Sequence, residues 1–335
     1  MIILFIVIVG NKQIDTVSNK LRKPAFLGTF IQIIPNVHKT WTTNQWVVLF
    51  DHLNKLGIKK LVVQWSVYND HISFEGDQKN SIIVPGLEHV LTLADQHHMQ
   101  VYLGLNYDAS YWKNIEKDHK FVENYLQQLE KKNIQLANKL SVLWKTHDAL
   151  SGWYLTEEVD DINWNNAERR SYLIHYIDSL TSVLHRLTPK QPVLVSGFSN
   201  AVLKPDKLAD LWSAVFSKTG VDIVLFQDGV GVKKLTLEQL PTYFNAISQC
   251  AKLHNKKINI IVEIFEQTSG YPINNAVFKA VAAPSDRVKK QMQIASKYSS
   301  ELFAFSIPDY MVPYAHNQAK SLYEYFVKSS LLQKK

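Results

Sequence analysis

A single (β/α)8 barrel running from about Ala25 to the C-terminus is the fold class that this sequence predicts, and three observations lead there. Short apolar runs alternate with longer segments of 3.6-residue periodicity, the pattern of βα units around a parallel sheet. Eight of each can be counted, enough to close a barrel. The first run lacks the G-x-G-x-x-G turn that an open doubly wound sheet would carry there, so that fold is the weaker alternative.

The eight strand candidates are FLGTFIQI from Phe26, KLVVQWSV from Lys60, QVYLGLNY from Gln100, LSGWYLTE from Leu150, PVLVSGFS from Pro192, VDIVLFQD from Val221, INIIVEIF from Ile258 and ELFAFSIP from Glu301. Helical periodicity covers Thr43–Leu56, Gly86–His98, His119–Thr146, Asn165–Leu187, Lys207–Lys218, Thr236–His254, Pro284–Tyr298 and Ala315–Leu332. Punctuation agrees: Asn44 is a cap candidate after Thr42 and Thr43, Gly57 stops the first helix, and Pro205 and Pro284 suit helix starts. No repeat beyond the βα unit and no low-complexity linker divides residues 25–335.

With 46% hydrophobic and 20% charged residues, the chain has material for a large core and is unlike a disordered protein. The formal charge of +7 hints at an acidic partner. Its lysine pairs, Lys233-Lys234 among them, mix with acids in predicted helices, which reads as a solvated exterior; no basic stripe with interleaved aromatics suggests nucleic acid. The lone Cys250 excludes an intrachain disulfide and reads as a small buried apolar residue. Residues 1–24 read as an export signal or N-terminal anchor plus a short linker, because Met1–Val9 is apolar yet too short to span a bilayer. The charged n-region and the Ala-x-Ala cleavage site are missing, so a mis-set start or a buried strand stays open. Periplasmic or extracellular location is the expectation, with membrane contact only through that anchor.

Chemistry in such a barrel stands at the C-terminal ends of the strands. The fourth run ends in Trp153-Tyr154-Leu155-Thr156-Glu157-Glu158 and the seventh in Val262-Glu263-Ile264-Phe265-Glu266. Carboxylates on strands four and seven face one another across the mouth, as glycosidic cleavage requires: one acid protonates the leaving oxygen while a second, ionised group attacks or stabilises the sugar cation. Glu157, Asp160 and Asp161 crowd the same loop as Glu158 and leave open a solvated acidic turn or a cation site. Aromatic residues at strand ends, Trp65, Tyr107, Trp112, Trp153, Phe265 and Tyr310 among them, offer faces on which sugars stack. Gln32, Asn106, Ser196, Gln227 and Asp228 supply hydrogen bonds to hydroxyls. His38, His71, His97-His98 and His316 lack zinc spacing, and neither a G-x-S-x-G elbow nor a phosphate loop occurs; no metal or organic cofactor is expected.

GTFIQ at Gly28–Gln32, GWYLTEEVD at Gly152–Asp160, FQDGVG at Phe226–Gly231 and VEIFEQ at Val262–Gln267 resemble a bacterial domain-of-unknown-function family of TIM-barrel proteins regarded as glycoside hydrolases. That family is similar to the clan of retaining glycosidases with catalytic glutamates on strands four and seven. The resemblance implies Glu158 as acid/base and Glu263 as nucleophile, and an endo-acting enzyme on a bacterial exopolysaccharide. One departure stands out: Glu157 occupies the place where the clan has Asn, so the roles of Glu157 and Glu158 could be exchanged. A barrel that binds polysaccharide without cleaving it, within an assembly or secretion complex, is the alternative. Oligomeric state has no signal in the sequence.

Overall fold

The computed structural model describes residues 24–69, 71–72, 82–83, 86–270 and 276–331; the segment expected to direct export otherwise lies outside them. Eight parallel strands close a barrel: β1 (Phe26–Ile31), β2 (Lys60–Val63), β3 (Gln100–Gly104), β4 (Leu150–Val159), β5 (Val193–Gly197), β6 (Ile223–Gln227), β7 (Lys257–Glu263) and β8 (Leu302–Phe305). Neighbours in the barrel follow chain order, and β8 pairs back onto β1 through Phe26 with Leu302 and Thr29 with Ala304. Between and after them run α1 (Thr43–Lys55), α2 (Leu87–Gln96), α3 (His119–Leu140), α4 (Ala167–Leu187), α5 (Pro205–Phe216), α6 (Leu240–Leu253), α7 (Ser285–Ala295) and α8 (Asn317–Leu331).

The strands read as near-continuous apolar runs because both of their faces are buried. Phe30, Val62, Tyr102, Tyr154, Leu194, Leu225, Ile261 and Phe303 point inward and fill the barrel as one cluster. Their alternates, such as Leu61, Val63, Leu103, Leu155, Val195 and Val262, pack outward under the helices. Period two along each strand thus splits the sequence between a lumen and a helix-facing layer. At the N-terminal end of the barrel, Glu301 accepts from Lys60 at 2.9 Å and Lys257 at 2.6 Å, joining β2, β7 and β8 away from the chemistry.

Boundaries differ from the periodicity in physically simple ways. The first helix is capped by Thr42, whose side chain accepts from the Gln45 N–H while Gln45 answers in a capping box; Asn44 is therefore not the cap. Gly57 ends that helix region at φ +82, which a side chain would resist. Beyond Leu140 the third helix tightens into a 3-10 turn at Ser141–Lys145. Cys250 is buried in α6, as its position in an amphipathic pattern suggests, and its thiol is pushed up to about 11 by burial.

Elements that the repeat pattern does not foretell gather at the C-terminal mouth. An antiparallel hairpin, Phe265–Ser269 with Lys279–Ala282, follows β7. Short strands Val67–Tyr68, His71–Ile72, Ile82–Ile83 and Asn106–Tyr107 form a small sheet above β2 and β3. Because Phe303 is fully buried in the lumen cluster, Phe303→Ala is expected to cost about 3–5 kcal/mol in urea unfolding. An unchanged midpoint would mean that the lumen is not a packed core.

Candidate active site

The end of β4 decides which of two adjacent glutamates meets the mouth. Trp153, Leu155 and Val159 pack into the helix-facing layer and Tyr154 into the lumen. Across the irregular pairing with β5 between Leu155 and Val159, Glu157 turns outward to the helix layer and Glu158 inward. Hydrogen bonds agree. Glu157 is 3% exposed and accepts from Tyr176 of α4 at 2.6 Å and from Thr156 at 2.9 Å, with Asn133 of α3 donating in turn to the Tyr176 hydroxyl at 2.7 Å. Burial raises its carboxyl to about 7, against the pull of the Tyr176 and Thr156 donors. Glu158 is half-buried and accepts from Ser196 Oγ at 3.3 Å and from Gln227 Nε2. Its carboxyl is also raised by burial, opposed by Lys234 and by those two donors.

Glu263 ends β7 two residues after the lumen residue Ile261 and is 3% exposed. The loop after β6 turns back onto it, with the Val232 N–H donating to Oε2 at 2.9 Å. Gly231 explains the sequence of that loop: a Cβ there would lie 2.5 Å from the Phe265 carbonyl and 2.9 Å from Glu263 Oε2. Burial raises the Glu263 carboxyl to about 8, the neighbouring Asp228 adds to the rise, and the Val232 N–H and Lys234 oppose it.

Lys234 is the participant that charge counting hides. It lies in the loop between β6 and α6 and not on a solvated helix, so the expectation for this lysine is corrected; it is half-buried, with Nζ 3.4 Å from the centroid of the Phe198 ring. A cation over an aromatic face is held by the ring's quadrupole. Its place a few residues beyond a strand end is legible in the sequence but is shared with Lys233.

The other expected site residues divide. Gln32 donates to Gln64 at 2.7 Å across the ends of β1 and β2 and borders a rim cavity of about 250 Å³ with His38, Trp41, Asp309 and Tyr314. Trp65 anchors its indole N–H on the Ile33 carbonyl at 3.0 Å and packs against Tyr68 and Tyr107 at centroid distances of 5.1 and 5.0 Å. Trp112 packs on Phe198 at 5.8 Å, beneath Lys234. Phe265 meets Tyr310 at 5.1 Å and Phe278 of the hairpin at 6.0 Å. Ser196 and Gln227 hold Glu158.

Three expected contacts are corrected. Trp153 is fully buried behind β4, donates to Thr188 at 2.8 Å and packs on Trp144, so no sugar in the mouth reaches it. Asp228 is 1% exposed and braces β7 from behind: it accepts from Gln291 at 2.6 Å and from the Val230 and Glu263 N–H groups. Glu157 faces the helix layer. Asn106 joins its backbone to Asn133 and Thr156 at the base of the mouth. Asp160 and Asp161, read as an acidic turn or cation site, spend their oxygens on the loops: Asp160 on Ile162 and Asn163, and Asp161 on Ser199, Asn200 and Leu203. Among the described residues no cluster of His, Cys, Asp and Glu could hold a metal.

Residues 26–317 match the model of the domain of unknown function DUF4434. The chain belongs to the DUF4434 family. The Escherichia coli K12 protein YbcH, itself uncharacterized, is 27% identical over 277 residues, covering 82% of this chain and 86% of YbcH. Among solved structures, a Bacteroides thetaiotaomicron protein assigned as an α-L-fucosidase is similar with a TM-score of 0.74 at 17% identity, covering 91% of this DUF4434 chain and 95% of its own. A family-18 chitinase from Pseudoalteromonas aurantia is similar with a TM-score of 0.54 at 11% identity, covering 91% and 98% of the two chains. At those identities the likeness is one of fold.

Two buried glutamates give this DUF4434 barrel a pH-dependent stability. Their folded values are raised, to about 7 for Glu157 and about 8 for Glu263, so their contribution is fully present below the unfolded value near 4.5. It is lost as pH rises through 7 and 8. Glu263→Gln is therefore expected to raise stability at pH 8 by on the order of 1–3 kcal/mol and to flatten the loss above pH 5 in thermal unfolding. Equal stability of variant and wild type at pH 8 would remove the buried-charge account.

Proposed function

We propose that this DUF4434 barrel is a glycoside hydrolase that cleaves within a polysaccharide by double displacement, with Glu263 as nucleophile and Glu158 as acid and then base. The observation that carries the reading is the inward pair: Glu158 at the end of β4 and Glu263 at the end of β7, each raised by burial, each held by side-chain or backbone donors. In the first step the Glu263 carboxylate bonds to the anomeric carbon while Glu158 gives its proton to the leaving oxygen. In the second, Glu158 takes a proton from water, and the hydroxide so formed displaces Glu263.

Walls on either side of the pair suit a chain of sugars. Half-buried Tyr68 and Tyr107, backed by the buried Trp65, stand over β2 and β3, and exposed Phe278 and half-buried Tyr310, backed by the buried Phe265, over β7 and β8. Aromatic faces stack on the apolar faces of sugars while their edges stay wet. Fold likeness to the chitinase and to the assigned fucosidase adds to this reading. Export through the apolar N-terminal segment and a bacterial exopolysaccharide as substrate belong to the same proposal.

One observation favours a second reading within the same chemistry. Burial and Asp228 raise the Glu263 carboxyl to about 8, which fits exchanged roles with Glu263 as the acid. In either case the chemistry needs one of the two carboxyls ionised and the other protonated.

The test is reducing-end release from neutral, amino-sugar and uronic-acid bacterial polysaccharides. Wild type is expected to cleave one class; Glu158→Gln and Glu263→Gln should each lose at least about a thousandfold in kcat, and Glu157→Gln, facing the helices, less than about tenfold. No cleavage by wild type, with binding that all variants retain, would replace hydrolysis by a binding role.

A further inference from the structure

The loop that closes on Glu263 also carries Lys234, and the two facts belong together. After β6 the chain turns at Gly229, with φ +64 and the Lys234 N–H bonded to the Gly229 carbonyl at 2.8 Å. Within that turn Asp228 accepts from Val230, and Val232 donates to Glu263. The turn leaves Lys234 on the β5 side of the loop, where its Nζ rests 3.4 Å from the Phe198 ring centroid. Phe198 is in turn fixed two residues beyond Ser196, its N–H bonded to the Val159 carbonyl at 3.0 Å. One short loop therefore sets a backbone donor on Glu263 and a cation beside the strand whose Ser196 holds Glu158.

We propose that Lys234 is a positioning residue that holds negative charge on Glu158 or Glu263, whichever carries it at a given stage. The carboxyls whose charge bears on it come from the neighbouring elements: Glu158 from β4, Glu263 from β7, and Asp160 and Asp161 from the loop after β4. Asp160 is bound by the N–H and amide groups of its own loop and Asp161 by the loop after β5, whereas the lysine's own loop touches Glu263 directly through Val232 and Phe198 follows the Ser196 that holds Glu158. Arg287, the other cation near β7, donates to the Phe265 carbonyl and is drawn toward Asp228 and Glu266 ahead of Glu263. Burial lowers the lysine's own value, and Glu158 and Glu263 oppose that fall. Phe198 fixes the ammonium by its ring face, which leaves the carboxylates free to reach a substrate.

The catalytic consequence rests on the glycosidase reading; the charge itself can be tested without a substrate. Protein labelled with ¹³C at the glutamate carboxyls is titrated by NMR, with Glu158→Gln and Glu263→Gln assigning the two signals. In Lys234→Met the first ionisation of the pair is expected to rise by about one unit or more, while Lys234→Arg keeps it within about half a unit of wild type. Where a glycan is cleaved, the acidic limb of the kcat/KM profile should move up with it in Lys234→Met and return in Lys234→Arg. A pair that titrates identically in wild type and in folded Lys234→Met overturns the proposal, whether or not any glycan is cleaved. Should Lys234→Met fail to fold, Lys234→Gln gives the same comparison, and Phe198→Leu, which frees the ammonium from its ring, is expected to broaden and raise the same titration.

Discussion

A carboxyl group taken out of water must find donors, take a proton or sit near a cation, and three glutamates at the mouth of this barrel divide those solutions among them. Glu157 takes hydroxyl donors from Thr156 and Tyr176. Glu158 takes Ser196 and Gln227, and Glu263 takes the backbone of the loop after β6. Much of what surrounds the mouth can be understood as the cost of keeping such groups there. Tyr176 needs Asn133, β7 needs Asp228 and Gln291 behind it, and the loop at Gly231 can carry no side chain without striking Phe265 or Glu263.

The barrel makes this possible by separating stability from chemistry along its axis. At one end the lumen is plugged by Phe303, Tyr154 and their neighbours, and Glu301 is bound by two lysines in an ordinary ion pair whose carboxylate stays low through those partners. At the other end the Glu158 and Glu263 carboxyls are raised by burial, with Lys234 opposing the rise. A fold that stores poorly compensated charge at only one end can bear it, because the packed strands beneath do not have to move.

How much of this the sequence discloses follows from the physics of each signal. Strands and helices are legible because a barrel strand is apolar on both faces and each helix is amphipathic, so run length and period separate them. Glu263 is legible as a charge at the end of an apolar run. Glu158 and Glu157 are adjacent, and only the register of β4, with Tyr154 inward, separates their roles; the same alternation carries Trp153 outward, where counting aromatics near a strand end misplaces it. Asp228 is misread because a strand-end carboxylate looks the same whether it faces the mouth or braces a backbone. Lys234 escapes because nothing local distinguishes it from Lys233, which is exposed; the loop's path back over β7 is a tertiary fact. The hairpin after β7 is hidden for a similar reason, being short and following directly on a strand.

The claim on which the account turns is that the carboxylate reaching the anomeric carbon is that of Glu263. Its most direct test is to incubate the protein with 2-deoxy-2-fluoro glycosyl fluorides of several sugars, release the fluoride, and find by peptide mass spectrometry which carboxyl holds the trapped glycosyl group. An adduct is expected on the peptide bearing Glu263, absent from Glu263→Gln. An adduct on Glu158 or Glu157, or labelling that persists in Glu263→Gln, would contradict it.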